Sequence, residues 1–350
     1  MRTSGERRPS QTPTTETWSS RFSTLIGARF DRVSMNTGDV QPYSSTGMLA
    51  MDDVPAANAF NAADHKRRNN NWSGSVLLSY APSDNAVMEL GYAHKVRSPN
   101  LYERYSWGRS SMASRMIGWY GDGNGYVGNL ALKPERADTI SAAVEFHGGG
   151  ADGWSVKLAP FYTHVNDYID AVRLKGFLEM GMPTGFVQLQ FANQKAEFYG
   201  VDLSGTTPVW NGGSLGVTHL SGSLSYIRSK NLSDGGPLYH QMPLDVKMTV
   251  SHKIGGLEGA VDVEWVAEKT RVDLTRNEPQ TNDYALVNLR TAYSWKIWRL
   301  SLDVENLFDK GYDLPLGGIS LGDYKYSGRT LIRPVPGRGR SVNLGLSVSF

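Results

Sequence analysis

The chain has 350 residues, a formal net charge of +2 and no cysteine. Near-neutrality leaves no basic footprint, so no nucleic-acid partner is expected. The lack of cysteine excludes disulfides, thiolate metal sites and cysteine nucleophiles.

Residues 1–19 are polar throughout, without the apolar core that an export signal needs, and read as a non-native or disordered lead. No later stretch approaches the ~20 apolar residues of a membrane helix. A barrel strand, however, needs only every second residue to be apolar. That pattern recurs along the chain. Trp72, Val76, Leu78 and Tyr80 alternate with Ser73, Ser75, Leu77 and Ser79; Val246, Met248 and Val250 alternate with Asp245, Lys247 and Thr249; Trp298, Leu300, Leu302 and Val304 alternate with Arg299, Ser301, Asp303 and Glu305. Side chains on a strand point to opposite faces in turn, so each segment has one apolar and one polar face. No helix of period 3.6 stands out.

The alternation predicts about twelve strands, near 20–33, 70–81, 86–96, 136–147, 154–172, 186–208, 215–229, 240–253, 257–270, 283–294, 297–307 and 338–350. Short Gly/Asn/Asp turns near 82–85, 148–153, 210–213, 254–256 and 294–296 alternate with longer connections near 34–69, 97–135, 173–185, 230–239, 271–282 and 308–337. One-sided long loops are the asymmetry of outer-membrane barrels, whose short turns are periplasmic. The fold class expected is therefore all-β, an antiparallel transmembrane β-barrel bounded by lipid, with the last strand running down to a periplasmic C-terminus. Trp72, Tyr80, Tyr284, Trp295 and Trp298 fit interfacial girdles. Asp245, Lys247, Asp262, Glu264, Arg290, Arg299, Asp303 and Glu305 fit the wall of a hydrated lumen.

Five segments carry a resemblance. They are Val96 to Glu103 (VRSPNLYE), Gly128 to Asp138 (GNLALKPERAD), Phe198 to Asp202 (FYGVD), Val304 to Tyr312 (VENLFDKGY), and Pro336 to Ser341 (PGRGRS) running into a strand that ends on Phe350. In this order and spacing the chain, over about residues 20–350, resembles the C-terminal barrel part of the TonB-dependent outer-membrane receptors. The resemblance implies a barrel of about 22 strands, of which the last twelve are present. It also implies a plug domain, absent here, through which the TonB complex would act, and a terminal Phe350 read by the barrel-assembly machinery. The five motifs are expected to hold the barrel together rather than to bind anything. The terminal strand is expected to leave an open edge where the first strand of a complete barrel would pair.

Methionines cluster in or beside the long connections: Met48, Met51, Met112, Met116, Met180, Met182 and Met242. Thioether sulfur is a soft ligand that suits Cu(I). Met112 with Met116, Met180 with Met182, and His240 with Met242 are candidate metal-ligating pairs, against the alternative that such residues are adaptable packing groups. The loop 111–129 also resembles the copper-receptor branch of the family, so the expected role is uptake of copper as transported ligand, with no bound cofactor. A ferric siderophore or cobalamin is the alternative cargo. A plugless outer-membrane pore and a β-rich surface binding protein are the rivals from other classes. Gly121 to Gly125 (GDGNG) lacks a calcium-loop register and reads as a flexible glycine-rich loop. No catalytic motif is present, and no enzyme activity is expected.

Overall fold

The computed structural model describes residues 14–18, 21–116, 118, 120–149, 153–179, 181–328 and 330–349. Met180 and Phe350, both singled out above, lie outside these residues, and so do 1–13 of the lead. The elements in order are β1 (Thr14–Trp18), β2 (Phe22–Met35), α1 (Gly47–Asn61), β3 (Arg67–Ser83), β4 (Ala86–Arg97), α2 (Leu101–Tyr105), α3 (Ser111–Arg115), β5 (Gly125–Val127), β6 (Glu135–Gly148), β7 (Trp154–Glu179), β8 (Met182–Asn211), β9 (Val217–Asn231), β10 (Asp245–Ile254), β11 (Leu257–Val266), β12 (Tyr284–Trp295), β13 (Trp298–Glu305), α4 (Leu321–Tyr326) and β14 (Ser341–Val348).

All the strands but β5 form one meander in which each pairs antiparallel with the next. The short β5 instead adds in parallel to the upper part of β8. The twelve strands expected from alternation are all present, and β1, within the segment read as lead, pairs with β2 as a further one. The sheet ends at β1 and β14, which do not pair with each other.

Register explains the alternation. Ile26, Val76, Tyr92, Ile140, Tyr162 and Tyr199 fall on one continuous cross-strand row from β2 to β8. Their side chains are exposed on one face, as are Leu90, Leu203, Met248, Val261, Leu300 and Leu344. The opposite face carries charge in pairs: Lys247 with Glu264 at 3.1 Å, Arg290 with Asp262 at 2.6 Å, and Arg299 with Glu258 at 2.8 Å. One face therefore suits hydrocarbon and the other water. A one-residue slip would exchange them, so the register is strongly specified. The tight turns sit where positive φ is tolerated, as at Gly255 between β10 and β11.

Three expectations need correction. First, the connection between β2 and β3 holds the fifteen-residue helix α1. It was missed because its apolar residues follow no helical stripe and Pro55 lies inside it. Methionine, leucine and alanine favour helix intrinsically, and burial of Ala56, Ala57 and Phe60 fixes it in place. Second, the expected long loop 173–185 is mostly strand: β7 and β8 continue upward as a long hairpin, with register shifts between Val165 and Tyr168 and again above Arg173. Third, Tyr284 is not a girdle residue. It is buried on the inner face, against Val266, Leu286 and Tyr312. Trp72 and Trp298 are exposed on the apolar face as expected, and Tyr80 stacks on Phe22.

Candidate functional site at the loop end of the sheet

The long connections fold back onto the upper inner face of β7 and β8. Tyr126 of β5, Leu132, Ile169, Val187, Leu189 and Phe191 form one apolar cluster. Phe177 and Phe186 pack with Ile319 and Tyr324 of the last long connection in another. Leu238, between β9 and β10, packs with Val165 and Ala196, and Arg276, between β11 and β12, lies against Tyr120 and Tyr126, so four connections meet in one place.

Arg276 lies at its centre. Its guanidinium donates to Asp170 on β7 and stands 3.5 Å from the Asp273 carboxylate. It lies over the rings of Tyr120 and Tyr239 at 4.9 Å each and of Tyr126 at 5.8 Å. Such a cation is attracted to the negative ring faces. Burial works against its charge, but the Tyr126, Asp170, Tyr120 and Asp273 oxygens outweigh that cost and hold its pKa above the ordinary value. Burial in turn pushes the Tyr126 and Tyr239 phenols well up. The backbone carbonyl of Arg276 accepts from Asn124 Nδ2 at 2.9 Å, and Asn124 Oδ1 accepts from the Val187 N–H at 3.0 Å. Asp122 accepts from the Asn124 backbone and from the Tyr126 hydroxyl. The GDGNG segment read as a flexible loop is thus a fixed part of this centre, with Asp122 and Asn124 both buried.

A second buried pair lies beside it. Lys269 Nζ meets Glu278 Oε1 at 2.5 Å and donates to the Pro315 carbonyl at 2.7 Å. Glu278 also accepts the backbone N–H of His240 at 2.9 Å and of Asp273 at 2.8 Å. His240 holds φ at +59° and stacks on Tyr239 with ring centres 3.9 Å apart. Burial lowers its pKa, against the pull of Glu278, so the ring is neutral near pH 7. His240 Nε2 and Tyr239 Oη are buried without a hydrogen-bond partner among the described residues.

The predicted ligands divide. Met242 packs with the Val266, Tyr284 and Leu286 cluster, whereas His240 stacks on Tyr239, so the two sit in separate surroundings. Met112 on α3, Met116 at its C-cap and Met182 at the start of β8 are exposed, as are Met48 and Met51 on α1. Asp53 of α1 accepts the Ser110 N–H at 3.0 Å, tying α1 to α3. Asp52 pairs with Lys175 of β7 at 3.0 Å, and the Arg115 guanidinium lies 4.2 Å from the Phe177 ring centre. Both methionine-bearing helices are thereby fastened to the β7–β8 tip. Among the described residues no three His, Asp or Glu side chains are placed to hold a metal ion.

The motifs resolve into two braces. Arg97 joins Glu103 at 3.0 Å to Glu135 at 2.5 Å, and Asn100 and Glu103 form a capping box on α2. Asn306, at φ +49°, donates to the Lys310 and Arg338 carbonyls and accepts the Lys310 N–H. A Cβ on Gly337 would stand 2.1 Å from the Tyr312 ring, so that close approach requires glycine. In Phe198 to Asp202, a Cβ on Gly200 would meet the Tyr226 carbonyl at 2.3 Å.

The profile of the TonB dependent receptor-like β-barrel family matches residues 14–307, and the chain belongs to that family of outer-membrane transport receptors. Among solved structures it is similar to the copper transporter OprC, with a TM-score of 0.71 and 20% identity, over 95% of this chain and 46% of that one. It is also similar to the ferric enterobactin receptor of Pseudomonas aeruginosa in complex with enterobactin (TM-score 0.63, 17% identity, 97% of this chain and 53% of that one). A third is the FrpB iron transporter of Neisseria meningitidis (TM-score 0.61, 14% identity, 96% of this chain and 44% of that one). The chain thus spans about half the length of each. No curated protein matches it by sequence.

Proposed function

We propose that this chain is wall and loops of an outer-membrane receptor that takes up copper, with its long loops outside the cell and its short turns in the periplasm. The observation that carries the cargo is the set of exposed thioethers, Met48, Met51, Met112 and Met116 on or at the end of two helices and Met182 on the hairpin tip to which both helices are fastened. Exposed methionine is costly as packing and useful as a soft ligand, and Cu(I) is the first-row ion that thioethers favour. The likeness to a structure described as a copper transporter supports the same reading. Import is driven through the TonB complex acting on a plug, and Phe350 serves the barrel-assembly machinery. The inward face, lined by Lys247, Asp262, Glu264, Arg290, Asp303 and Glu305, is the side that meets plug and cargo.

Cu(I) titration of the chain in neutral detergent tests this, using a competing chelator of known affinity. Changing Met112, Met116 and Met182 to Leu, with Met180 included, is expected to weaken capture by at least tenfold. Leucine preserves volume and apolarity, so the fold should be indifferent to it. Unchanged affinity would remove these residues as ligands. Binding of a ferric siderophore with no Cu(I) affinity would move the cargo assignment to the iron receptors.

A further inference from the structure

The apolar face does not run unbroken to the loops. On β4, β6, β7 and β8 it ends at His94, Asp138, His164 and Glu197, which share one cross-strand row with Lys230 of β9. The row just below holds Tyr92, Tyr162, Tyr199 and Arg228. Tyrosines at the end of an apolar run mark a membrane–water interface. On β4, β6 and β7 the polar row satisfies itself: Asp138 accepts from Tyr92 Oη and bonds His94 Nδ1, each at 2.7 Å. On β8 and β9 it does not. Lys195, Arg228 and Lys230 are all exposed there, on the face that carries Tyr199 and Leu203. None of the three has a carboxylate partner among the described residues; Arg228 reaches only the Tyr226 ring, at 6.0 Å. Glu197, opposite Lys230 across the strands, accepts from the Tyr162 hydroxyl at 3.2 Å.

The inner face shows the contrast. There Lys157, Lys247, Lys253, Arg290 and Arg299 are matched to carboxylates, Lys95 of β4 being an exception among the described residues. Three unmatched cations within two neighbouring strands, at the edge of the apolar band, need anions from outside the chain. Metal binding does not explain the strip, since among the described residues no three His, Asp or Glu side chains converge there.

We propose that Lys195, Arg228 and Lys230 bind the phosphorylated headgroups of outer-leaflet lipids, anchoring this side of the wall at a fixed depth. Arg228 forms the fork that a phosphate accepts bidentately, and the two lysines supply point charges on either side of it. The inference rests on the membrane orientation proposed above, and not on the copper assignment.

The test is native mass spectrometry of the full chain in neutral detergent, titrated with phosphatidic acid, a lipid with a terminal phosphate, or with phosphatidylcholine. Wild type is expected to retain phosphatidic acid selectively, and less of it as salt rises. K195Q/R228Q/K230Q should bind it roughly a hundredfold more weakly, at about fivefold for each of the three cations near an anionic surface. K195R/K230R should bind as wild type does. Equal retention by the triple variant, or retention by wild type that ignores salt or headgroup, would overturn the strip while leaving the barrel intact. Should the triple variant not fold, the salt and headgroup dependence of wild type still decides. A chain that stays in solution without detergent would overturn the membrane reading, and this inference with it.

Discussion

Removing the Arg276 side chain should unlock the loops without unfolding the wall. In R276A, Asp170 is left buried beside Asn231 with no cation, and three tyrosine rings lose the charge they enclose. Breaking a buried pair by taking one partner costs about 3–5 kcal/mol. Arg276 and Asp170 side chains are 4% and 10% exposed, so solvent screening relieves little of this. The opening equilibrium of the loop assembly should therefore rise by roughly two to three orders of magnitude. Hydrogen exchange in detergent reads this directly, because the elements report separately. Amides of Asn124, Val187 and Asn277, which sit in the network around Arg276, should lose protection, while β10 to β14 keep theirs. R276K should recover only part, since an ammonium cannot reproduce the planar contact with several rings and two carboxylates. The reasoning fails if R276A leaves the protection of these loop amides unchanged, or if protection falls equally in the distant strands. The first result would mean that the apolar clusters alone hold the loops; the second, that loops and wall open as one unit.

The buried pair of Lys269 and Glu278 gives a second test: K269M should destabilise the β11–β12 connection by about 3–5 kcal/mol, and K269M/E278L should recover only part of this, because the His240 and Asp273 N–H groups lose their acceptor, as read by denaturant-dependent exchange. His240 supplies a pH prediction. Its folded pKa is lowered, mainly by burial, so the unfolded state binds the proton more readily. The stability linked to it is present above about pH 6.5 and is lost as pH falls towards the folded value. Protection of the loop amides should thus weaken on acidification, and H240F, which keeps the stack on Tyr239, should flatten that dependence. G337V should prevent β14 from docking beside Tyr312, lowering the yield of folded protein, and Y312A should restore part of it. In R97Q, Glu103 and Glu135 lose their shared cation; because Arg97 is about half exposed, the cost should be only about 1–2 kcal/mol, measured by thermal unfolding in detergent.

The wall was legible in the sequence because its cause is local. Each strand must present alternate residues to hydrocarbon and water, so the period of two is written in every segment whatever its partners. The charged residues assigned to a wet wall lie together on the inner face for the same reason. The upper halves of β7 and β8 broke the rule. Above Val165 one face meets the folded-back connections, so Ile169, Phe177, Phe186 and Val187 answer to protein rather than to lipid, and bulges shift the register besides. Helix α1 failed in the opposite way: it stands on side contacts at Asp53 and Phe60 rather than on an amphipathic stripe.

The loop centre was illegible because its members are far apart in the chain and ordinary one by one. Tyr120, Asp170, Tyr239 and Arg276 share no motif, and only the packing of four connections against one long hairpin brings them together. The one available hint was Gly121 to Gly125, whose Asp122 and Asn124 are too polar for a mere spacer. The methionines show the converse. Their number in the loops could be read from the sequence, but which of them face solvent could not: Met242 is spent on packing, while Met112, Met116 and Met182 remain free at the surface. Loop rigidity and ligand exposure are linked here. A clamp that fixes α1, α3 and the β7–β8 tip also fixes the spacing of the sulfurs they carry, so R276A should weaken Cu(I) capture although it removes no sulfur. If affinity survives the loss of loop protection intact, the methionines act singly and the clamp serves only to order the loops.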